Sequence, residues 1–534
     1  MLDIVMMRSS RWGWLACCML ALPGCDRLPA AAQFGGERPP TQFALGVNLT
    51  MPTYYSGEPA FTNLLTGSGW RLGWQDVKPG SVDAPGNITV ETGQKAQRIL
   101  TAPMAVLTGK GATIVCTWQG KGDVSIQGAK SKDALGDHSW EFFWPGTAGP
   151  TDKLVWLELS SSSGSDPLRN FDCREKGVAR GEVFSAEFLE SMKPFGVLRF
   201  MDWSAVNGNP KQVSWSTRTR ADSIDQVEAP GGVALEHMIA LSNRMDADPW
   251  FNVPWNADED YVRRMAQMVH DGIPAHRHVY AELSNEVWNY SFGVTRQAQE
   301  EGEAAKLAPG DGFKSALLRY AEKTRWAMRI WAQVFADRPG QLVRVAATQG
   351  DNPWTATVVL GEAKLAADVD ALAVAPYFGA DLFADGQQKG VTDTAVLLNV
   401  LAGKAKQTQT GYTTKNAEVA RQYGKRLIAY EAGQHVVGEG NLGLVAQLNR
   451  SDAMYGIYKS YIGDWKAQIN DTMVLYNSTG PISVWGAWGL REYAGQPLAE
   501  TPKRRAAIEF GRYPKIGASK GAAAKSPSAM KQPH

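Results

Sequence analysis

Tyr280-Ala281-Glu282-Leu283-Ser284-Asn285-Glu286-Val287-Trp288-Asn289 begins in an apolar run and ends in polar and turn-forming residues. Residues 279–283 read as a short strand, with Asn285 and Glu286 just past its end. Working outward, comparable runs recur at 43–49, 196–200, 250–253, 343–347, 371–375, 427–430 and 482–487. Between them lie segments with an apolar residue every three or four positions, at 183–192, 234–244, 258–270, 317–335 and 442–461. Strands that alternate with helices imply a parallel sheet. Eight of them predict a closed (β/α)8 TIM barrel rather than an open sheet, with its chemistry at the strand ends where Asn285 and Glu286 stand.

A different texture separates the first strand from the second. From about Trp70 to Asp172, short alternating runs at 87–92, 104–107, 113–118, 123–127 and 154–159 are divided by Gly, Pro, Ser and Asp clusters. Such spacing predicts a β-sandwich. The barrel is therefore expected over 42–69 and 176–510, with a sandwich inserted at 70–175 after the first strand. Connections that follow a barrel strand lie on the catalytic face. The insert is expected beside the cleft, where help in binding polysaccharide and a purely stabilising role both remain open.

The 55 Lys and Arg balance 54 Asp and Glu, which leaves no basic field for nucleic acid and no acidic tail. Arg8 and Arg11 followed by the apolar run 12–22 read as an export signal over 1–25, too short to span a bilayer. Leu22-Pro23-Gly24-Cys25 resembles a bacterial lipoprotein cleavage site with Cys25 lipidated; cleavage near Ala30 to Ala32 is the alternative. Exported protein in the periplasm or at the cell surface is the expectation, with membrane contact only through such an anchor. A linker is expected over 26–41 and a disordered tail, rich in Ala, Lys, Ser, Gly and Pro, over 511–534. Beyond the signal and Cys25, the remaining cysteines are Cys116 and Cys173. In an oxidising compartment a disulfide between them is expected, against two buried free thiols.

A second strand end carries Ile428-Ala429-Tyr430-Glu431-Ala432-Gly433. An Asn-Glu pair after strand four and a Glu after strand seven resemble the clan A retaining glycoside hydrolases, a resemblance that covers the barrel and not the sandwich. It implies Glu286 as general acid/base and Glu431 as nucleophile. The chemistry agrees: cleavage through an oxocarbenium-like state needs one protonated and one ionised carboxyl across the bond, about 5–5.5 Å apart in a retaining enzyme. Strands four and seven face each other across an eight-stranded barrel and can aim two carboxyls at one point.

By the same resemblance, Asn285 bonds the substrate 2-hydroxyl, Tyr377 donates to the nucleophile, Arg199 lies beside it, and Trp488 after strand eight is a sugar platform, with Trp485 the competitor. Trp203, Trp255 and Trp288 at strand ends are candidates for further subsites, and His435 for a place behind Glu431. The chain departs from the clan in its third strand, Phe251-Asn252-Val253-Pro254-Trp255, and at Ala375, where many members carry His. Residues 192–203 and 247–254 resemble bacterial cellulose- or polysaccharide-binding proteins. No His-Glu-x-x-His run, phosphate loop, dinucleotide fingerprint or Gly-x-Ser-x-Gly elbow occurs, so neither cofactor nor metal is expected. Hydrolysis of a β-linked polysaccharide is the leading expectation. A non-catalytic polysaccharide-binding lipoprotein and a transglycosylase are the alternatives.

Overall fold

The computed structural model describes residues 42–512, apart from 78–81, 84–85, 92, 130–131, 148, 150, 228–230, 384–389 and 438–440. The segments expected as signal and linker, Cys25, and the tail beyond 512 lie outside the described residues.

Eight parallel strands close into a barrel in chain order: β1 (Leu45–Asn48), β2 (Val197–Arg199), β3 (Asp248–Val253), β4 (Val279–Leu283), β5 (Leu342–Ala347), β6 (Ala371–Val374), β7 (Arg426–Ala429) and β8 (Met473–Leu475). β8 returns to β1, so that Gly46 pairs with Val474 on one side and Val197 on the other. A Cβ at Gly46 would stand 2.8 Å from the Val197 Cβ, so the first strand fits between its neighbours only as glycine. Alternation along the strands sorts the side chains. Leu45 and Val47 join the apolar layer between barrel and helices. Val197, Trp250, Tyr280, Val343, Val345, Ala371, Ala373, Ile428 and Val474 fill the lumen. The next inward positions toward the strand ends are polar, and Asn48, Arg199, Asn252 and Glu282 are all buried there.

The eighth strand is a correction to the sequence reading. It is Met473–Leu475, not 482–487. Three residues between Thr472 and Tyr476 are too few to show a period, whereas 482–487 folds as a loop whose Ser483 and Gly486 bond each other across a tight turn. Trp485 at its tip is 72% exposed. The helix expected over 442–461 is two helices, Leu442–Arg450 and Asp452–Gln468, because the Ser451 hydroxyl accepts from the Ala453 N–H and starts a new one. Asp258 and Asp311 cap the helices Glu259–Gly272 and Gly312–Val334 in the same manner.

Between β1 and β2 the chain forms two antiparallel sheets. One orders Arg169–Glu175, Ala112–Gln119, Ser139–Trp144 and Lys132–Gly136; the other orders Gln75–Asp76, Arg71–Leu72, Ala96–Ile99, Trp156–Leu159 and Val124–Gln127. Inward residues of both sheets share one apolar cluster, which also takes in Ile224 and Ala494 from the connections after β2 and β8. Residues 104–107, expected as a strand, are a single helical turn, Met104–Leu107, with the Thr108 hydroxyl donating to the Met104 carbonyl at 3.0 Å. Cys116 and Cys173 stand directly opposite one another on paired strands and form a disulfide.

A buried ion pair closes the seam of the barrel. Glu58, in the connection after β1, accepts from Ser478 and Thr479, just past β8, at 2.6 Å each, and from Arg491 at 3.3 Å. Arg491 also pairs with Glu187, on the helix Ala186–Met192 that precedes β2. Among the described residues, no helix is long and apolar enough to cross a membrane.

Candidate active site

Arg199, at the end of β2, organises the polar upper layer of the lumen. A guanidinium has five N–H donors, and here each has an acceptor. Nε donates to Glu282 at 3.2 Å and Nη2 to Glu282 at 2.9 Å and to Asn285 Oδ1 at 2.9 Å. Nη1 donates to Asn48 Oδ1 and to Glu431 Oε1, both at 2.9 Å. The guanidinium lies over the Trp250 ring at 5.5 Å and the Tyr430 ring at 5.0 Å. Glu282 takes a further hydrogen bond from the Trp250 indole at 2.8 Å. One cation thus sits between two carboxylates, fully buried, with every donor satisfied.

Glu286 leaves β4 through a strained turn. Ser284 and Glu286 have φ of 57° and 41°, a left-handed conformation that non-glycine residues adopt at a cost on the order of 1–3 kcal/mol. The neighbouring strand holds the turn: the Ser284 N–H donates to the Val253 carbonyl at 2.7 Å, and Asn252 Nδ2 donates to the Ser284 carbonyl at 2.7 Å. Each Glu286 oxygen accepts one neutral donor, Oε1 the Tyr430 hydroxyl at 2.9 Å and Oε2 the Asn289 amide at 2.8 Å. Glu286 as a whole is only 8% exposed. Burial, then the charge of Glu431, push it up to about 8, against the opposing pull of Asn289 and Tyr430.

Glu431, 5% exposed, follows β7 and has charged company. Burial pushes its carboxyl up as well, but the Arg199 charge opposes this, as do hydrogen bonds from Tyr377 and Arg199. The Tyr377 hydroxyl donates to Oε2 at 2.9 Å, so each Glu431 oxygen is held by a different donor. The Arg199 charge reaches both carboxyls, but it is bonded to Glu431 and not to Glu286. The surroundings therefore favour the proton on Glu286 and the negative charge on Glu431.

A chain of edge-to-face rings begins at Tyr377. Tyr377 meets His435 edge-on at 5.2 Å, His435 meets Trp488 at 5.4 Å, and Trp488 meets Tyr476 at 5.9 Å. Burial lowers the His435 pKa and keeps its ring neutral. Asp202, three residues beyond Arg199, bonds the Tyr476 hydroxyl; burial and the Glu431 charge raise it to about 7.

The structure gathers Glu286, Glu431, Asn285, Arg199, Tyr377, His435 and Trp488 around one place. Both ends of the Asn285 amide are engaged, its oxygen by Arg199 and its nitrogen by Asn207 at 3.0 Å. Trp203 and Trp255 are not cleft walls. Trp203 is fully buried, with its ring against Phe61 and Phe188 and its indole on the Thr50 carbonyl. Trp255 is buried with its indole on Glu301 and Lys323 over its face. Each follows an apolar strand, and its ring fills the layer beneath the connection. Trp288 is half-buried against that same apolar layer. Sequence reasoning missed Glu282, Asn48, Tyr430, Asp202 and Tyr476. For Glu282 the signal was present: a carboxylate in the middle of an apolar strand needs a buried cation, and Arg199 is the matching anomaly on β2.

No protein-family model matches this chain, and no curated protein matches it. Among solved structures, a GH51 arabinofuranosidase from Xanthomonas axonopodis pv. citri aligns at 11% identity over 62% of this chain and 67% of its own, with a TM-score of 0.42. A GH5-4 broad specificity endoglucanase from Clostridium acetobutylicum aligns at 11% identity over 63% of this chain and 92% of its own, with a TM-score of 0.34. GH26C from Muricauda sp. MAR_2010_75 aligns at 11% identity over 59% of this chain and 77% of its own, with a TM-score of 0.33. These are likenesses of fold. The strand pairing of this chain defines a closed (β/α)8 barrel that carries additional antiparallel sheets.

Proposed function

We propose that this chain is a retaining glycoside hydrolase that cleaves a β-linked polysaccharide by double displacement. In the first step the Glu431 carboxylate attacks the anomeric carbon while Glu286 gives its proton to the departing glycosidic oxygen. In the second, Glu286 takes a proton from water, the water oxygen attacks the same carbon, and the bond to Glu431 breaks. Tyr377 and Arg199 aim the nucleophile and stabilise its charge. Asn285, tethered by Arg199, offers its remaining amide hydrogen to the sugar. The ring of Trp488 or Tyr476 supports the sugar face.

The observation that carries this reading is the asymmetry of the pair. Two buried carboxyls end strands on opposite sides of one barrel; one accepts only neutral donors and the other is bonded to a guanidinium. Such an arrangement separates an acid from an anion at neutral pH. A protein that merely binds glycan gains nothing from burying them together. The disulfide and the N-terminal segment support work outside the cytoplasm, free or lipid-anchored at Cys25.

The experiment is an assay of new reducing ends on β-glucans, xylans, mannans and bacterial exopolysaccharides with the wild type, Glu286→Gln and Glu431→Gln. The wild type cuts at least one, and each variant loses on the order of 10³-fold or more. Undiminished cleavage by Glu431→Gln overturns the assignment.

A further inference from the structure

Tyr290, Phe313 and Trp354 form a continuous strip of rings on the catalytic end of the barrel. The Tyr290 and Phe313 centroids lie 6.1 Å apart with planes at 40°, and those of Phe313 and Trp354 lie 6.1 Å apart at 33°. The outer two rings are exposed, Tyr290 by 40% and Trp354 by 41%. Three segments meet there. Tyr290 comes from the connection after β4, Phe313 from the first turn of Gly312–Val334, and Trp354 from the first turn of Pro353–Thr357 after β5. Two of these segments are held from behind. The Tyr290 hydroxyl donates to Gln299 at 2.6 Å, and Asp311 caps the helix that carries Phe313 through the Lys314 N–H at 2.9 Å. Large rings brought together from separate segments and left exposed mark a place where something apolar is set down.

Its position says what. Tyr290 is four residues beyond Glu286, so their Cα atoms are at most about 14 Å apart. A turn, with the Asn289 N–H on the Glu286 carbonyl at 2.8 Å, draws them closer. A general acid delivers its proton to the oxygen that departs, so the sugars on its side belong to the leaving chain. The hydroxyl-poor faces of pyranose rings stack on such aromatic surfaces. The charges of Glu303 and Asp311 reach the Tyr290 phenol and disfavour an anionic chain there.

We propose that the Tyr290–Phe313–Trp354 strip is a subsite for the leaving end of an uncharged β-glycan. This rests on the reading of Glu286 as the acid.

Calorimetric titration of the full-length Glu286→Gln protein with di-, tetra- and hexasaccharides of the cello, xylo and manno series tests it. With intact rings, affinity rises with length in at least one series. The pair Tyr290→Ala and Trp354→Ala loses about tenfold of that gain. The pair Tyr290→Phe and Trp354→Tyr keeps it. Should the alanine pair fail to fold, Trp354→Ala alone is expected to lose about half of the gain on a logarithmic scale. A gain untouched by alanine, or no gain with length in any series, overturns the strip. Failure of the acid assignment shows up separately, as hydrolysis of the titrated sugar by Glu286→Gln.

Discussion

The Tyr430 hydroxyl donates to Glu286 Oε1 at 2.9 Å, although Tyr430 is the chain neighbour of the opposing carboxyl, Glu431. At the end of β7, consecutive residues therefore serve the two halves of the pair. The phenol reaches across to the acid, the carboxylate turns to Arg199, and the Tyr430 ring lies on the Arg199 guanidinium. Any rotation of this strand end disturbs both carboxyls at once.

A pH profile follows from Glu286. Its proton is needed for the first step, and its carboxyl is raised to about 8. kcat/KM is expected to fall as pH rises through about 8, with the acid limb set by protonation of Glu431. The Tyr430 bond favours the ionised form of Glu286, so Tyr430→Phe is expected to move the alkaline limb to still higher pH. A profile whose alkaline limb stays in place in Tyr430→Phe contradicts this.

Stability carries the same signature. A carboxyl raised in the folded state binds its proton more tightly there than in the unfolded chain. Its contribution to stability is therefore present at acid pH and is lost as pH rises from the ordinary carboxylate range through about 8. Glu286→Gln removes this penalty. Its melting temperature is expected to exceed that of the wild type at pH 9 by on the order of 2 °C, with a smaller difference at pH 5. Thermal melts at the two pH values check it.

Arg199→Lys is expected to be severe despite the conserved charge. An ammonium cannot span Glu282, Asn48, Asn285 and Glu431, and it leaves buried acceptors unpaired. A loss of about 3–5 kcal/mol in denaturant unfolding is expected. Tyr377→Phe keeps the fold and removes one donor from Glu431. Its acid limb is expected to shift upward with a rate loss on the order of tenfold to a hundredfold.

The barrel was legible because strands with inward and outward neighbours buried read as apolar runs, and seven of the eight show it. The eighth was missed because Met473–Leu475 is three residues long, while the loop 482–487 imitates a strand in composition. In the insert, Met104–Leu107 was misread because a four-residue segment carries no period, and strands such as Lys132–Gly136, Ser139–Trp144 and Arg169–Glu175 went unseen because their buried and exposed residues do not alternate cleanly. At the site, residues on strand ends announced themselves: Glu286, Glu431 and Arg199 are polar where apolar residues are the rule. Tyr430, Asp202 and Tyr476 did not, because an aromatic or acidic residue at a strand end is unremarkable until its partner across the barrel is known. Trp203 and Trp255 misled for the converse reason. A tryptophan near a strand end serves the core as readily as the cleft.

The cross-strand disulfide ties the outermost strand of its sheet to the centre. Replacing Cys116 and Cys173 together by Ala is expected to lower stability by about 2–5 kcal/mol. Under denaturing, non-reducing conditions the wild type is expected to show neither of these two thiols. Titration of both as free thiols contradicts the bridge.

The most direct test of the pair is covalent. The Glu286→Gln protein is incubated with 2,4-dinitrophenyl β-glycosides of glucose, xylose, mannose and cellobiose, whose leaving group needs no acid, while the second step lacks its base. Mass spectrometry of the digested protein is expected to find one sugar added to the peptide that carries Glu431. An adduct on another residue, or none from a glycoside that the wild type turns over, contradicts the account.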